Sequence, residues 1–144
     1  MTRSELRARI EAIEESYEFF LAYAAQGASG SGSGASSGQV RQFLARTEEA
    51  LAGLGEGVAE LAETAGLTPA SAYRGMAGVL ARDAESTLAA VQLVSAQRWV
   101  SSQLIDNLNA SIHFRALLTD LFLIDEILDI QDAARGGNTP PADG

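Results

Sequence analysis

Apolar residues in the first part of the chain recur at alternating steps of four and three. This spacing keeps side chains on one face of an α-helix. The face is formed by Leu6, Ile10, Ile13, Tyr17, Phe20 and Ala24. The pattern predicts a first helix over about residues 3–26.

The same spacing returns after a stretch of glycine, alanine and serine. It runs through Val40, Leu44, Thr47, Leu51, Leu54, Val58, Leu61 and Ala65. We predict a second helix over about residues 38–65, followed by Gly66 as its C-terminal cap. Gly53, Gly55 and Gly57 each disfavour a helix interior by about 1 kcal/mol relative to alanine. We prefer a local kink there over close approach by a neighbouring helix.

The second half of the chain contains no glycine or proline between Gly78 and Gly136, so composition alone does not divide it. Residues 106–111, DNLNAS, nevertheless favour caps and turns over helix interiors. We therefore predict helices over about residues 69–105 and 109–133. Residues 135–144 have the composition of a disordered tail.

Residues 27–38 read GASGSGSGASSG and raise the question of one domain or two. Neither flanking part can bury its apolar face alone, so we interpret this stretch as a flexible loop inside one domain spanning residues 1–134. The predicted fold is all-α, a bundle of about four helical segments with coiled-coil-like heptad stripes. We expect the bundle to be oligomeric.

Composition excludes several classes of function. The net charge of −9 over 144 residues argues against a nucleic-acid partner, which needs clustered positive charge. The absence of cysteine removes disulfides and thiolate chemistry. The charged N-terminus has no signal-peptide pattern, and no apolar run is long enough for a transmembrane segment. We expect a soluble cytoplasmic protein.

Candidate catalytic chemistry is sparse. His113 is the only histidine, and neither a second histidine nor a cysteine exists to complete a metal site with it, so we interpret it as a structural or surface residue. We expect no enzymatic activity and no cofactor. Gly75 and Gly78 are spaced as in helix-packing contacts, and no strand precedes them as a phosphate-binding loop requires.

The fourth helix is apolar around most of its circumference. One stripe, from Phe114 to Leu128, is enough to close the bundle. A helix that is apolar on most sides is buried on most sides, so the surplus residues predict a subunit interface of a homo-oligomer. The predicted interface comprises Phe114, Leu118, Phe122, Leu123, Ile127 and Ile130.

A second group of residues is predicted to dock a larger protein partner. Its aromatic members are Tyr17, Phe19, Tyr23 and Trp99. Its acidic members are Asp125, Glu126 and Asp129, which lie near a helix C-terminus, where the macrodipole favours cations. A basic partner surface would explain this acidic cluster, and so would tolerance of a small destabilisation.

The segment EESYEFFLAYAAQG, Glu14 to Gly27, resembles the opening of the small helical subunit found with actinobacterial high-affinity nickel–iron hydrogenases. The resemblance covers this segment alone. It implies a non-catalytic scaffold that gathers catalytic subunits through helical self-association, with the metal chemistry in other chains. It transfers no ligand residues to this sequence.

The sequence thus favours a non-catalytic scaffold or accessory subunit that self-associates through helices. Two alternatives stay open. One is a cytosolic adaptor or chaperone that receives an amphipathic helix of a client. The other is an enzymatic or ligand-binding bundle with an apolar pocket near Trp99, Tyr17 and Phe114.

Overall fold

The computed structural model describes residues 1–27 and 34–136. Helices account for 86% of these residues, and no strand occurs among them, which confirms the predicted all-helical class. The helices are α1 (Arg3–Ala25), α2 (Gly34–Leu51), α3 (Leu54–Thr64), α4 (Ala70–Ser95), α5 (Ser102–Ala110) and α6 (Ile112–Gly136). They form four segments: α1, α2 with α3, α4, and α5 with α6.

Successive segments run in opposite directions. Arg9 of α1 donates a hydrogen bond to the carbonyl of Ala52, and Phe19 stacks on Phe43 with ring centroids 4.3 Å apart. Residues near the end of α1 therefore contact residues near the start of the second segment. The first segment contacts the second and the fourth, and α4 also contacts these two. The result is an up-down-up-down bundle.

The core is built from the predicted stripes. On the second segment, the side chains from Val40 to Val58 in the stripe are buried, including the polar Thr47, whose hydroxyl donates to the carbonyl of Phe43 at 2.8 Å. On α6, Phe114, Leu117 and Leu121 have no exposed surface. The 3–4 spacing therefore identified the faces that enter the core.

The predicted helix over residues 38–65 is in fact two helices. The chain leaves helical geometry at Gly53, whose φ of 66° lies in the left-handed region that favours glycine. A neighbouring helix also approaches closely in this glycine-containing stretch, which is the alternative that we did not prefer. A Cβ placed on Gly55 would lie 2.5 Å from the Cβ of Ala81, so α3 and α4 nearly touch at this point.

The predicted helix over residues 69–105 ends ten residues early, at Ser95. Arg41 of α2 donates to the carbonyls of Ser95 and Gln97 at 2.9 and 2.7 Å. These hydrogen bonds satisfy carbonyl groups that a longer helix would have paired with its own backbone N–H groups. Ser101 then caps α5 by accepting a hydrogen bond from the backbone of Leu104 at 3.1 Å.

The predicted turn at residues 106–111 is shorter than expected. Only Ser111 leaves helical geometry, with φ −63° and ψ 144°. Its hydroxyl accepts a hydrogen bond from the backbone of Phe114 at 3.2 Å and so caps α6. Residues 106–110 belong to α5.

The helix ends next to the glycine-rich stretch and next to the tail also differ from the prediction. Helix α2 begins at Gly34, inside the predicted loop over residues 27–38, and α6 continues through Arg135 and Gly136 of the predicted tail. The prediction of a flexible loop otherwise falls on residues 28–33, and that of a disordered tail on residues 137–144. Both ranges lie outside the described residues.

Gly75 and Gly78 do not mediate a helix contact within the described part of the chain. A Cβ on Gly75 would meet nothing within 4 Å, and one on Gly78 would meet only the guanidinium of Arg82 at 3.6 Å. The spacing of small residues was therefore a misleading indicator here. The close approach of two helices is at Gly55 instead.

We predict that Gly55→Ala lowers the free energy of unfolding by about 1–3 kcal/mol, because the added methyl group overlaps the backbone of Ala81. Gly75→Ala is the matched control. It places the same methyl group in open space and should raise stability by up to about 1 kcal/mol through helix propensity. Urea denaturation of both variants measures the difference. Equal effects of the two substitutions would contradict the close approach.

Candidate interaction surface

The inner face of α6 is used by the chain's own core. Phe114 is fully buried, with its ring centroid 5.6 Å from that of Tyr17 and 6.4 Å from that of Phe20. Leu118 is only 8% exposed. Both residues were predicted to lie in a subunit interface, and this prediction is wrong, because the fourth segment packs against both α1 and α4 and buries more than one stripe.

The outer face of α6 carries four large apolar side chains that are at least half exposed. They are Ile112 at 76%, Phe122 at 54%, Leu123 at 50% and Ile130 at 55%. Ile127, also predicted for the interface, is half-buried beside them. Sequence reasoning missed Ile112. It lies 11 positions before Leu123, and Ile130 lies 7 positions after Leu123, so helical spacing places all three on the same face.

The outer face also carries one exposed charge of each sign. Arg115 lies near its N-terminal end and Glu126 near its C-terminal end. Among the described residues, neither side chain forms an ion pair. Arg115 lines a groove beside Phe122 together with Glu14 and Glu18 of α1. Burial, together with the charges of Asp125, Glu18 and Glu11, raises the pKa of Glu14.

The acidic cluster on α6 has a basic partner inside the chain. Arg3 contacts Asp125 at 2.8 Å, Asp129 at 2.6 Å and Asp132 at 3.0 Å. Arg7 adds a contact to Asp129 at 3.1 Å. The prediction that Asp125 and Asp129 dock an external partner therefore needs correction, because arginines at the start of α1 already occupy both carboxylates. Glu126 alone of the predicted acidic docking residues stays outside this cluster.

The four aromatic residues predicted to dock a partner are not equivalent. Tyr23 is buried, and its hydroxyl donates to the carbonyl of Val100 at 2.6 Å. Phe19 is covered in part by Phe43, and Tyr17 is half-buried. Docking by Tyr23 is thus contradicted by its burial. Trp99 is 55% exposed, with the guanidinium of Arg98 5.5 Å from its ring.

The second alternative places an apolar pocket near Trp99, Tyr17 and Phe114. In the described part of the chain these residues do not share one, since Phe114 is fully buried and Trp99 is 55% exposed. An apolar cavity of about 240 Å³ lies elsewhere, between α3, α4 and α6. Its lining includes Val58, Ala62, Tyr73, Met76, Ile124 and Leu128.

His113 is exposed, and its backbone carbonyl accepts a hydrogen bond from Thr87 at 3.0 Å. No group of three or more histidine, aspartate or glutamate side chains in the described part of the chain is arranged to hold a metal ion.

Two carboxyl groups meet where α4 packs against α6. Asp120 is 8% exposed, and its Oδ2 has no hydrogen-bond partner among the described residues. Burial, a hydrogen bond to Asp83 and the charge of Asp83, in decreasing order of effect, together raise the pKa of Asp120 to about 7. A proton held at this contact prevents repulsion of two charges, so the pair is a structural contact that depends on pH.

We predict that Arg3→Ala lowers the free energy of unfolding by about 1–2 kcal/mol, because it leaves three carboxylates close together without their cation. Arg7→Ala is the matched control. The Arg7 side chain is 54% exposed and has one ion pair, so its loss should lower stability by less than ~0.5 kcal/mol. Urea denaturation at low and high salt measures both, and a loss for Arg3→Ala no larger than for Arg7→Ala would contradict the assignment.

We predict that Asp120 makes the chain less stable as pH rises from about 4 to about 7. The folded state holds a proton there that the unfolded state releases near the ordinary pKa of 3.8, so the free energy of unfolding falls across this window. Asp120→Asn removes the titration and should be more stable than the wild type by about 1–3 kcal/mol near pH 8.

The control for Asp120→Asn is Asp106→Asn, which changes an exposed carboxylate of α5. Thermal unfolding followed across the pH range measures all three proteins. If the difference between the wild type and Asp120→Asn does not change with pH, the proton-sharing contact is wrong.

No helix in the two described ranges is both long enough and apolar enough to cross a membrane. Comparison of the chain with protein-family models, curated proteins and solved structures gives no significant match. The outer face of α6 is the largest group of exposed apolar side chains on one described helix.

Proposed function

We propose that this protein is a non-catalytic scaffold or accessory subunit that self-associates through the outer face of α6 and organises a larger complex. The observation that carries the proposal is the exposure of Ile112, Phe122, Leu123 and Ile130 on one helix. Single exposed apolar residues are common on soluble proteins. Four on one face of one helix, beside a complete core, are typical of an interaction site.

The energetics favour association through this face. Burial of one large apolar side chain contributes roughly 1.5–3 kcal/mol. Association of two proteins costs on the order of 4–15 kcal/mol in lost freedom, depending on the reference model. When two copies bring four such residues each, the favourable contribution is large enough to offset this cost.

The positions of two polar clusters in the bundle support the proposal that the protein is non-catalytic. Arg3 and its carboxylates join α1 to α6, and the pair of Asp83 and Asp120 joins α4 to α6. Each cluster connects segments of the bundle. Among the described residues, neither cluster lines the apolar cavity between α3, α4 and α6.

The nature of the larger complex is proposed from the first helix. Its segment from Glu14 to Gly27 resembles the scaffold subunit of actinobacterial nickel–iron hydrogenases, and a redox enzyme is therefore the candidate partner. Phe20 and Tyr23 of this segment are buried in the core, so a partner would contact its exposed residues, which include Glu15, Glu18 and Leu21.

Binding of a small apolar molecule is a second candidate function. The cavity between α3, α4 and α6 favours it, because its lining is almost entirely apolar. Its volume of about 240 Å³ is below the roughly 300–1,000 Å³ usual for ligand pockets. A small hydrocarbon group fits this volume better than a cofactor does.

We predict that Leu123→Glu with Ile130→Glu converts the protein into smaller particles that remain helical. The two charges would have to be desolvated at the interface, while in the free chain they point into water. Leu93→Glu is the matched control, because Leu93 of α4 is 66% exposed and lies outside the outer face of α6. Light scattering after gel filtration measures particle mass, and circular dichroism measures helix content.

A wild-type protein that is monomeric at tens of micromolar would overturn self-association and favour the adaptor instead. An equal effect of Leu93→Glu would indicate that added charge, and not the location on α6, changes the particle size.

A further inference from the structure

We infer that α6 pairs with α6 of a second copy in an antiparallel arrangement about a two-fold axis, with Arg115 of each copy near Glu126 of the other. The inference rests on the proposed self-association and adds its geometry. It follows from the order of apolar and charged residues along the outer face of α6. A pair of this kind closes on itself, which defines a dimer as the unit of assembly.

The centre of the outer face is a row that follows helical spacing for most of α6. It consists of Ile112, Ala116, Thr119, Leu123 and Ile130, with Glu126 at the remaining position of the repeat. Ile112 and Ile130 are 18 positions apart, or about 27 Å at 1.5 Å per residue. The two ends of the row are highly exposed isoleucines, and its middle is formed by Thr119 and the half-exposed Leu123.

This row is complementary to itself when it is reversed. In a two-fold contact every pair occurs twice. If a residue of the first copy lies opposite a given residue of the second, the same residue of the second copy lies opposite that residue of the first. If the axis passes at the level of residue 121, Ile112 lies opposite Ile130 of the second copy, and Thr119 lies opposite Leu123. Each exposed isoleucine thereby gains an isoleucine as its neighbour across the interface.

The charges select the antiparallel direction. Glu126 belongs to the row itself, and Arg115 and Phe122 flank the row on one side. In the antiparallel pair Glu126 lies opposite Ala116 of the second copy, next to Arg115. With the axis at the level of residue 121, Arg115 comes within one helical turn of Glu126 of the second copy. The symmetry produces this contact twice.

A parallel pair would not satisfy these charges. Parallel helices bring opposite flanks together, and the flank opposite Arg115 carries His113 and Ile127, with no exposed carboxylate between them. The parallel pair would also place Glu126 beside its own copy, which adds repulsion to a chain of net charge −9. A second copy in the antiparallel direction is therefore the occupant that the outer face of α6 fits.

Disulfide cross-linking tests the direction, because the chain contains no cysteine and any introduced thiol is the only one. Ile112→Cys and Ile130→Cys are purified separately, then oxidised alone and as a mixture. We expect a cross-linked dimer mainly in the mixture, because Ile112 lies opposite Ile130 and about 27 Å from its own copy. Leu93→Cys, mixed with either variant, is the control for random collision.

Reversal of the charges tests the register. Arg115→Glu should weaken dimerisation by about tenfold, since it replaces two attractive contacts with two repulsive ones. The double variant Arg115→Glu with Glu126→Arg should restore most of the affinity. Sedimentation at several concentrations measures the dissociation constants.

The outcomes separate the two proposals. If the wild type does not dimerise in sedimentation, the proposed self-association fails, and the geometry with it. If it dimerises but Ile112→Cys and Ile130→Cys each cross-link alone, self-association stands and the antiparallel geometry is overturned. If the double charge variant stays as weak as Arg115→Glu, the contact between Arg115 and Glu126 is wrong.

Discussion

The bundle depends on one constraint: its core accepts a single face of each helical segment, and on α6 that face is occupied by the chain itself. Phe114, Leu117 and Leu121 are fully buried against the other segments. With 3.6 residues per turn, the other large side chains of this helix project away from that face. The remaining apolar residues of α6, among them Phe122 and Leu123, therefore face outward. The outer face is a consequence of how the core is filled.

Two electrostatically unfavourable ends meet in this arrangement. Arg3 is the first residue of α1, where the helix dipole disfavours a cation, and the aspartates lie toward the end of α6, where it disfavours anions. Because α1 and α6 run in opposite directions, the two ends are adjacent and the charges pair. The contact specifies the alignment of α1 on α6. It also explains the acidic cluster without an external basic surface.

The sequence predicted the buried faces well and the ends of the helices less well. Leu44, Leu117 and Leu121 follow from spacing alone, because an apolar stripe on a helix must be covered whatever covers it. The end of α4 at Ser95 does not follow, because Arg41, more than 50 positions away, satisfies the freed carbonyls. The close contact at Gly55 required the position of Ala81.

The sequence by itself determined that the chain is helical and that α6 has more apolar surface than one core stripe needs. Both properties are local, since they depend on residue type and helical period. Only the tertiary structure decided which residues of α6 are left outside. It buried Phe114 and Leu118, exposed Ile112 and Phe122, and bound Asp129 to arginine. These outcomes depend on which segments are neighbours and how they align, and helical spacing within one segment carries no information about the position of another.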